Sequence, residues 1–154
     1  MKKTRLLTVL FMAMAVSLGC TSCEKEDDNT GIEVNLRNAN NGGGMVTVLS
    51  WEFLGGTWVG TELEIDKSDN FYVYQNDAAI VSVGQVSGLS KVNNFPSSGW
   101  SRQALVKKGN GYVIRGKAKD GTYHYARVYV VEILTGAGSG GVIGATIRYE
   151  PDWK

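Results

Sequence analysis

Downstream of residue 44, apolar and polar residues alternate with a period of two, and no stretch keeps a helical period for more than about two turns. Met45 to Leu49 is β-branched and apolar. Leu63-Glu64-Ile65 and Phe71-Tyr72-Val73-Tyr74 flank Asp66-Lys67-Ser68-Asp69-Asn70, whose side chains favour a tight turn. Ala79 to Val83 is an apolar run closed by Gly84, and Gln103 to Val106 is a short one. The clearest signal lies in the carboxyl-terminal third, where Asp120-Gly121 separates two runs rich in aromatic and β-branched residues. A two-residue type I′ turn there pairs Ala118 with Tyr123 and Ile114 with Arg127. That register predicts one face carrying Tyr112, Ile114, Tyr123, Tyr125, Arg127, Tyr129, Val131 and Ile133. The other carries Val113, Arg115, Lys117, His124, Ala126, Val128 and Val130. A one-residue bulge would exchange these faces. Both faces are apolar away from the turn, so the long strand from Tyr123 is predicted to be central and covered twice.

After the glycine-rich stretch from Gly136 to Gly141, Val142 to Tyr149 completes a three-stranded meander. Twenty glycines and only two prolines suit tight turns between strands. The expected fold is all-β and mostly antiparallel, a small barrel or compact β-sandwich of about seven to nine strands.

The amino-terminal residues follow another pattern. Met1-Lys2-Lys3-Thr4-Arg5 is cationic, and Leu6 to Leu18 is apolar apart from Thr8 and Ser17. A helix of that length rises about 20 Å, short of the roughly 30 Å of a hydrocarbon core. A basic head, a short apolar run and small residues after it read as a secretory signal. Cys20 and Cys23 are the only cysteines, and with no second pair and His124 as the sole histidine they do not read as part of a zinc site. Their position resembles the lipobox of bacterial lipoproteins, which implies cleavage before a cysteine that receives diacylglycerol. Cys23 is favoured because Glu24-Lys25-Glu26-Asp27-Asp28 follows it, while Leu18-Gly19 keeps Cys20 as the alternative. The acidic string resembles the sorting tag that sends lipoproteins of some Gram-negative gut bacteria to the outer face of the outer membrane. Each buried methylene contributes about 0.8 kcal/mol, so two or three acyl chains would make an effectively permanent anchor.

This divides the chain into a lipoprotein signal at 1–22, an acidic, Gly- and Asn-rich tether at 23–44, and a β domain at 45–154. Within the tether, Ile32-Glu33-Val34-Asn35-Leu36 alternates as a half-buried strand does and is a candidate edge strand able to augment a partner's sheet. Removing Lys2, Lys3 and Arg5 with the leader leaves thirteen cationic residues against fifteen acidic ones, a net charge of −2. That balance argues against a nucleic-acid partner.

Val83-Gly84-Gln85-Val86-Ser87-Gly88-Leu89, Gly99-Trp100, the run from Gly109 to Arg115, that from Tyr125 to Val131, and Gly141 to Ala145 form an ordered series. It resembles a family of short uncharacterised secreted domains found after lipoprotein signals in gut anaerobes. The resemblance covers roughly residues 60 to 150 and implies export and β structure, with no activity attached.

No catalytic set emerges. His124 is the sole histidine and reads as a partly exposed strand residue; Gly-x-Ser-x-Gly and His-Glu-x-x-His are absent. Glu52, Glu62, Glu64, Asp66 and Glu132 are candidates for paired-carboxylate chemistry by type alone. Asp66 to Asn70 has calcium-type oxygen ligands but lacks the glycine and distal glutamate of an EF-hand loop. No metal or cofactor is therefore expected.

The aromatic residues remain. Trp51 and Trp58 flank Gly55-Gly56 and read as core. Trp100 lies in a polar loop, as either a core plug or a ligand platform, and Tyr123, Tyr125 and Tyr129 form a row on one strand face. The expected role is a non-enzymatic surface binding module for an unidentified ligand, a glycan or another protein. The alternative is an accessory lipoprotein partnering an outer-membrane protein complex or adhesive fibre.

Overall fold

The computed structural model describes residues 31–154 except 55, 56, 76, 139 and 140, without side chains for 52–58. The signal, Cys20, Cys23, the start of the tether and the side chains of Glu52 and Trp58 lie outside the described residues. Among the described residues nine strands follow in chain order: β1 (Ile32–Arg37), β2 (Met45–Leu54), β3 (Thr57–Ile65), β4 (Asn70–Tyr74), β5 (Ala79–Gln85), β6 (Gln103–Leu105), β7 (Asn110–Lys117), β8 (Tyr123–Thr135) and β9 (Val142–Glu150).

They form two antiparallel sheets, ordered β1-β9-β8-β7-β5 and β2-β3-β4-β6. The fold is a compact β-sandwich; the sheets do not close into a barrel. One corner is nonetheless stitched, because Ile80 in β5 and Ser101 ahead of β6 exchange backbone bonds of 2.7 and 3.0 Å. The β7-β8-β9 meander is present, with β8 in the middle of its sheet. β1 pairs along its length with β9 and buries Leu36, and Asn38 just after it is buried as well, so the sandwich begins within the segment read as tether.

Period-two burial drives the assembly. Leu63, Ile65, Phe71 and Val73 from one sheet meet Tyr112, Ile114, Ala126, Val128, Val130 and Ile147 from the other, all essentially inaccessible to water. Val48 and Leu49 are neighbours yet both buried, because a bulge after Thr47 turns two successive side chains inward. Tyr112 ties the layers together. Its ring meets Phe71 edge-on at 5.0 Å, and its hydroxyl donates to Leu105 O at 2.7 Å while accepting from Lys107 N at 3.0 Å.

The hairpin register differs from the sequence expectation by one residue. Lys117 pairs with Tyr123, Arg115 with Tyr125, and Ile114 with Ala126. The loop has three residues, Lys119, Asp120 and Gly121, closed by Ala118 N to Thr122 O at 2.9 Å and Gly121 N to Ala118 O at 3.0 Å. Gly121 has φ +90°, whereas Asp120 is absent from the positive-φ residues, so the type I′ expectation gives way to a turn with one left-handed glycine. The side chain of Asp120 accepts from Thr122 N at 2.8 Å, which fixes the longer loop and lowers the Asp120 pKa below its ordinary value.

Candidate functional site

The altered register rearranges the chemistry. Each strand keeps its own alternation, but the cationic face of β7 now coincides with the tyrosine face of β8. Val113, Arg115, Lys117, Tyr123, Tyr125, Arg127 and Tyr129 share the outer face, while Tyr112, Ile114, Gly116, His124, Ala126 and Val128 face the other sheet. Gly116 has to be glycine there, since a Cβ would lie 2.1 Å from Thr61 Oγ1 and 2.7 Å from the Trp51 ring.

Two irregular segments cover part of this outer face. The chain from Val86 to Trp100 crosses it, and Val92 and Phe95 pack with Val81 and Val113 in a second, smaller apolar cluster. The carboxyl-terminal tail supplies the rest. β9 ends at Glu150 opposite Arg127, and Trp153 N then donates to Tyr125 O at 2.9 Å, extending the pairing past the end of the strand. The Trp153 ring stacks on Phe95 at 4.9 Å and 4°, and Phe95 meets Tyr125 edge-on at 4.8 Å. Lys154 Nζ stands 4.9 Å from the Phe95 ring.

Trp100 folds back over β7 and is half-buried, with its Nε1 donating to Pro96 O at 3.1 Å. It lies 6.5 Å from Tyr125, and Tyr125 lies 6.4 Å from Tyr123. The Arg115 guanidinium sits over the Trp100 ring at 4.5 Å and the Tyr123 ring at 5.3 Å, with Lys117 Nζ 5.4 Å from Tyr123. The negative ring faces hold these cations by charge–quadrupole attraction. Tyr123 remains 39 % exposed, the most open ring of the group.

The structure thus brings Trp100, Tyr123 and Tyr125 together. Tyr129 shares their face but lies beyond Arg127, opposite Gly111 and Arg148, away from this ring cluster. Arg115, Lys117, Phe95 and Trp153 are members that sequence reasoning missed. For the two cations a signal existed: turning the uncharged face Tyr112-Ile114-Gly116 and the uncharged face Ala126-Val128-Val130 to the same side gives the observed distribution of faces.

Other candidates resolve into packing. His124 stacks on Trp51 at 5.3 Å and has Nδ1 3.4 Å from Asp152 Oδ1. Trp51 is partly buried against the main core. In the turn from Asp66 to Asn70, Asp66 Oδ1 accepts from Ser68 N at 2.7 Å and Asn70 N at 2.9 Å, and Asp69 accepts from Asn38 Nδ2 at 2.8 Å. Those bonds shape a hairpin turn, and among the described residues no three His, Cys, Asp or Glu side chains gather. On the outer face of the second sheet the Tyr74 hydroxyl donates to Glu64, and that bond pushes its pKa up to about 12. A cleft of about 440 Å³ lies between β5 and β6 behind the Trp100 loop, lined by Val81, Ser82, Pro96, Gly99, Gln103 and Asn110 among others.

Comparison with protein-family models, curated proteins and solved structures gives no match to this chain.

Proposed function

We propose that this chain is a non-enzymatic binding module displayed at the cell surface on a lipid anchor, with a glycan as its ligand. The observation that carries the binding reading is the aromatic row on the outer face of the five-stranded sheet. Trp100, Tyr123, Tyr125, Phe95 and Trp153 are supported by strand backbone and by stacking on one another. Sugar rings present polarised C–H faces, and such faces stack on the negative face of an aromatic ring. Tyr123 offers an exposed ring for this, and the rigid sheet keeps the entropic penalty of binding small. The leader pattern, Cys23 and the acidic residues after it support export to the outer membrane. The net charge of −2 left once Lys2, Lys3 and Arg5 depart with the leader disfavours nucleic acid.

A glycan array probed with the full chain tests the reading. Binding that is lost in Tyr123→Ala and Trp100→Ala, with near-ultraviolet circular dichroism unchanged, supports it; an array without signal removes it. Fatty-acid labelling tests the anchor separately, with incorporation lost in Cys23→Ala and kept in Cys20→Ala.

The accessory reading rests on β1. Among the described residues this strand pairs only with β9 in its sheet, and it carries Ile32 at 51 % exposure, an edge suited to augmentation by a partner strand. An Ile32→Lys variant that loses a co-purifying membrane protein while keeping all glycan signal would favour it.

A further inference from the structure

Arg115 lies in the middle of the aromatic row, and its environment is unusual for a guanidinium. Its Nε is buried without a hydrogen-bond partner, and among the described residues no carboxylate pairs with it. Its contacts are the rings of Trp100 and Tyr123. These rings hold the guanidinium in place but offer its N–H groups no acceptor, and the side chain as a whole stays partly open to solvent. With Nε covered, the two Nη groups form the open end of the fork, and such a planar pair of donors, fixed by stacking and lacking an acceptor, matches a carboxylate in shape and charge. Lys117, on the same face and over the same Tyr123 ring, adds a second cation.

We propose that Arg115, Lys117, Trp100 and Tyr123 form a subsite for the carboxylate of an acidic saccharide, with a uronic acid unit as the simplest ligand. The proposal rests on the glycan-binding reading above and specifies its ligand class. A uronate carries a flat C–H face and a carboxylate on one ring. The exposed Tyr123 ring receives the first, and the adjacent guanidinium and ammonium receive the second. A bare anion would use the cations and leave Tyr123 idle; a neutral sugar would use Tyr123 and leave the guanidinium without an acceptor.

Calorimetric titration of the full chain in detergent with oligogalacturonate, and with a neutral xylo-oligosaccharide of equal length, tests this. We expect oligogalacturonate to bind more tightly, with Arg115→Gln weakening it about tenfold or more. Arg115→Lys keeps the charge but loses the fork and should fall between the two. Lys117→Gln, an exposed-face change, serves as the independent variant should Arg115→Gln not fold. Equal affinity of wild type, Arg115→Lys and Lys117→Gln for oligogalacturonate overturns the subsite. Tight binding of the neutral oligosaccharide alone also overturns it, while leaving the glycan reading standing. Binding to neither, with no signal on the wider array, overturns both. Arg115-dependent binding to phosphatidylglycerol vesicles in place of oligogalacturonate overturns it in favour of a lipid headgroup.

Discussion

Arg115 and Arg127 occupy the same face of neighbouring strands, directly across from Tyr125 and Val113, yet their surroundings diverge. Arg127 is enclosed. Its Nε donates to Glu150 Oε2 at 2.8 Å, its Nη1 reaches Ser90 O at 3.3 Å and Val92 O at 3.5 Å, and Trp153 stacks 5.4 Å away. Arg115 has rings in place of carboxylate and carbonyls. One arginine pins the covering segment and the end of β9 to the sheet; the other is held in position with its donors unanswered. The difference lies in what chain lies alongside: β9 ends with Glu150 beside Arg127, whereas further on the tail lays Trp153 along Tyr125 and its carboxylate, Asp152, meets His124 on the opposite face.

Four measurements sharpen or break this contrast. Replacing Arg127 with Met should have the largest effect, about 2 kcal/mol in urea unfolding, because Glu150 and two backbone carbonyls lose their donor together. A loss no larger than that of Arg115→Gln would mean that the two arginines are equivalent after all. Next come the turn variants that set the register. Gly121→Val should cost about 1–2 kcal/mol, since a β-branched residue resists φ +90°. Asp120→Val should cost clearly less, as only its bond to Thr122 disappears; equal losses would restore the type I′ turn and separate Arg115 from the tyrosines.

Third, Arg115→Gln should change stability by about 1 kcal/mol or less, the range of a partly exposed cation–π contact. The smallest effect concerns pH. The Thr122 N–H holds the Asp120 carboxyl below its ordinary value of 3.8, so the stability it adds is fully present above that value and fades as pH falls through the lowered one. The stability gap between wild type and Asp120→Ala should therefore narrow in acid and stay constant from pH 5 to 8.

Much of the sandwich was legible because period two is a property of single strands. Phe71 and Val73 inward with Tyr72 outward, or Ala126, Val128 and Val130 inward with Tyr125 and Arg127 outward, follow from alternation alone. The relation between strands was not legible, because it depends on loop length, and Asp-Gly fits both a two-residue turn and a three-residue turn ending in a left-handed glycine. A one-residue difference at Lys119 decided whether the cations joined the tyrosines. Phe95 and Trp153 escaped for another reason. They lie in segments without periodicity, and only the three-dimensional path of the chain lays one on the other.

The pairing of β1 with β9 has a geometric consequence for display. Ile32 stands opposite Tyr149, in a row with Val128 and Tyr112, and β1 runs from there away from the Lys119 to Gly121 loop, so the chain enters the sheet from the side of the Arg115 level. With acyl chains on Cys23, the span to Ile32 is a leash of about 30 Å at full stretch. An anchor of the kind proposed would tether the aromatic face to the bilayer by that leash, within reach of sugars rooted in the same surface.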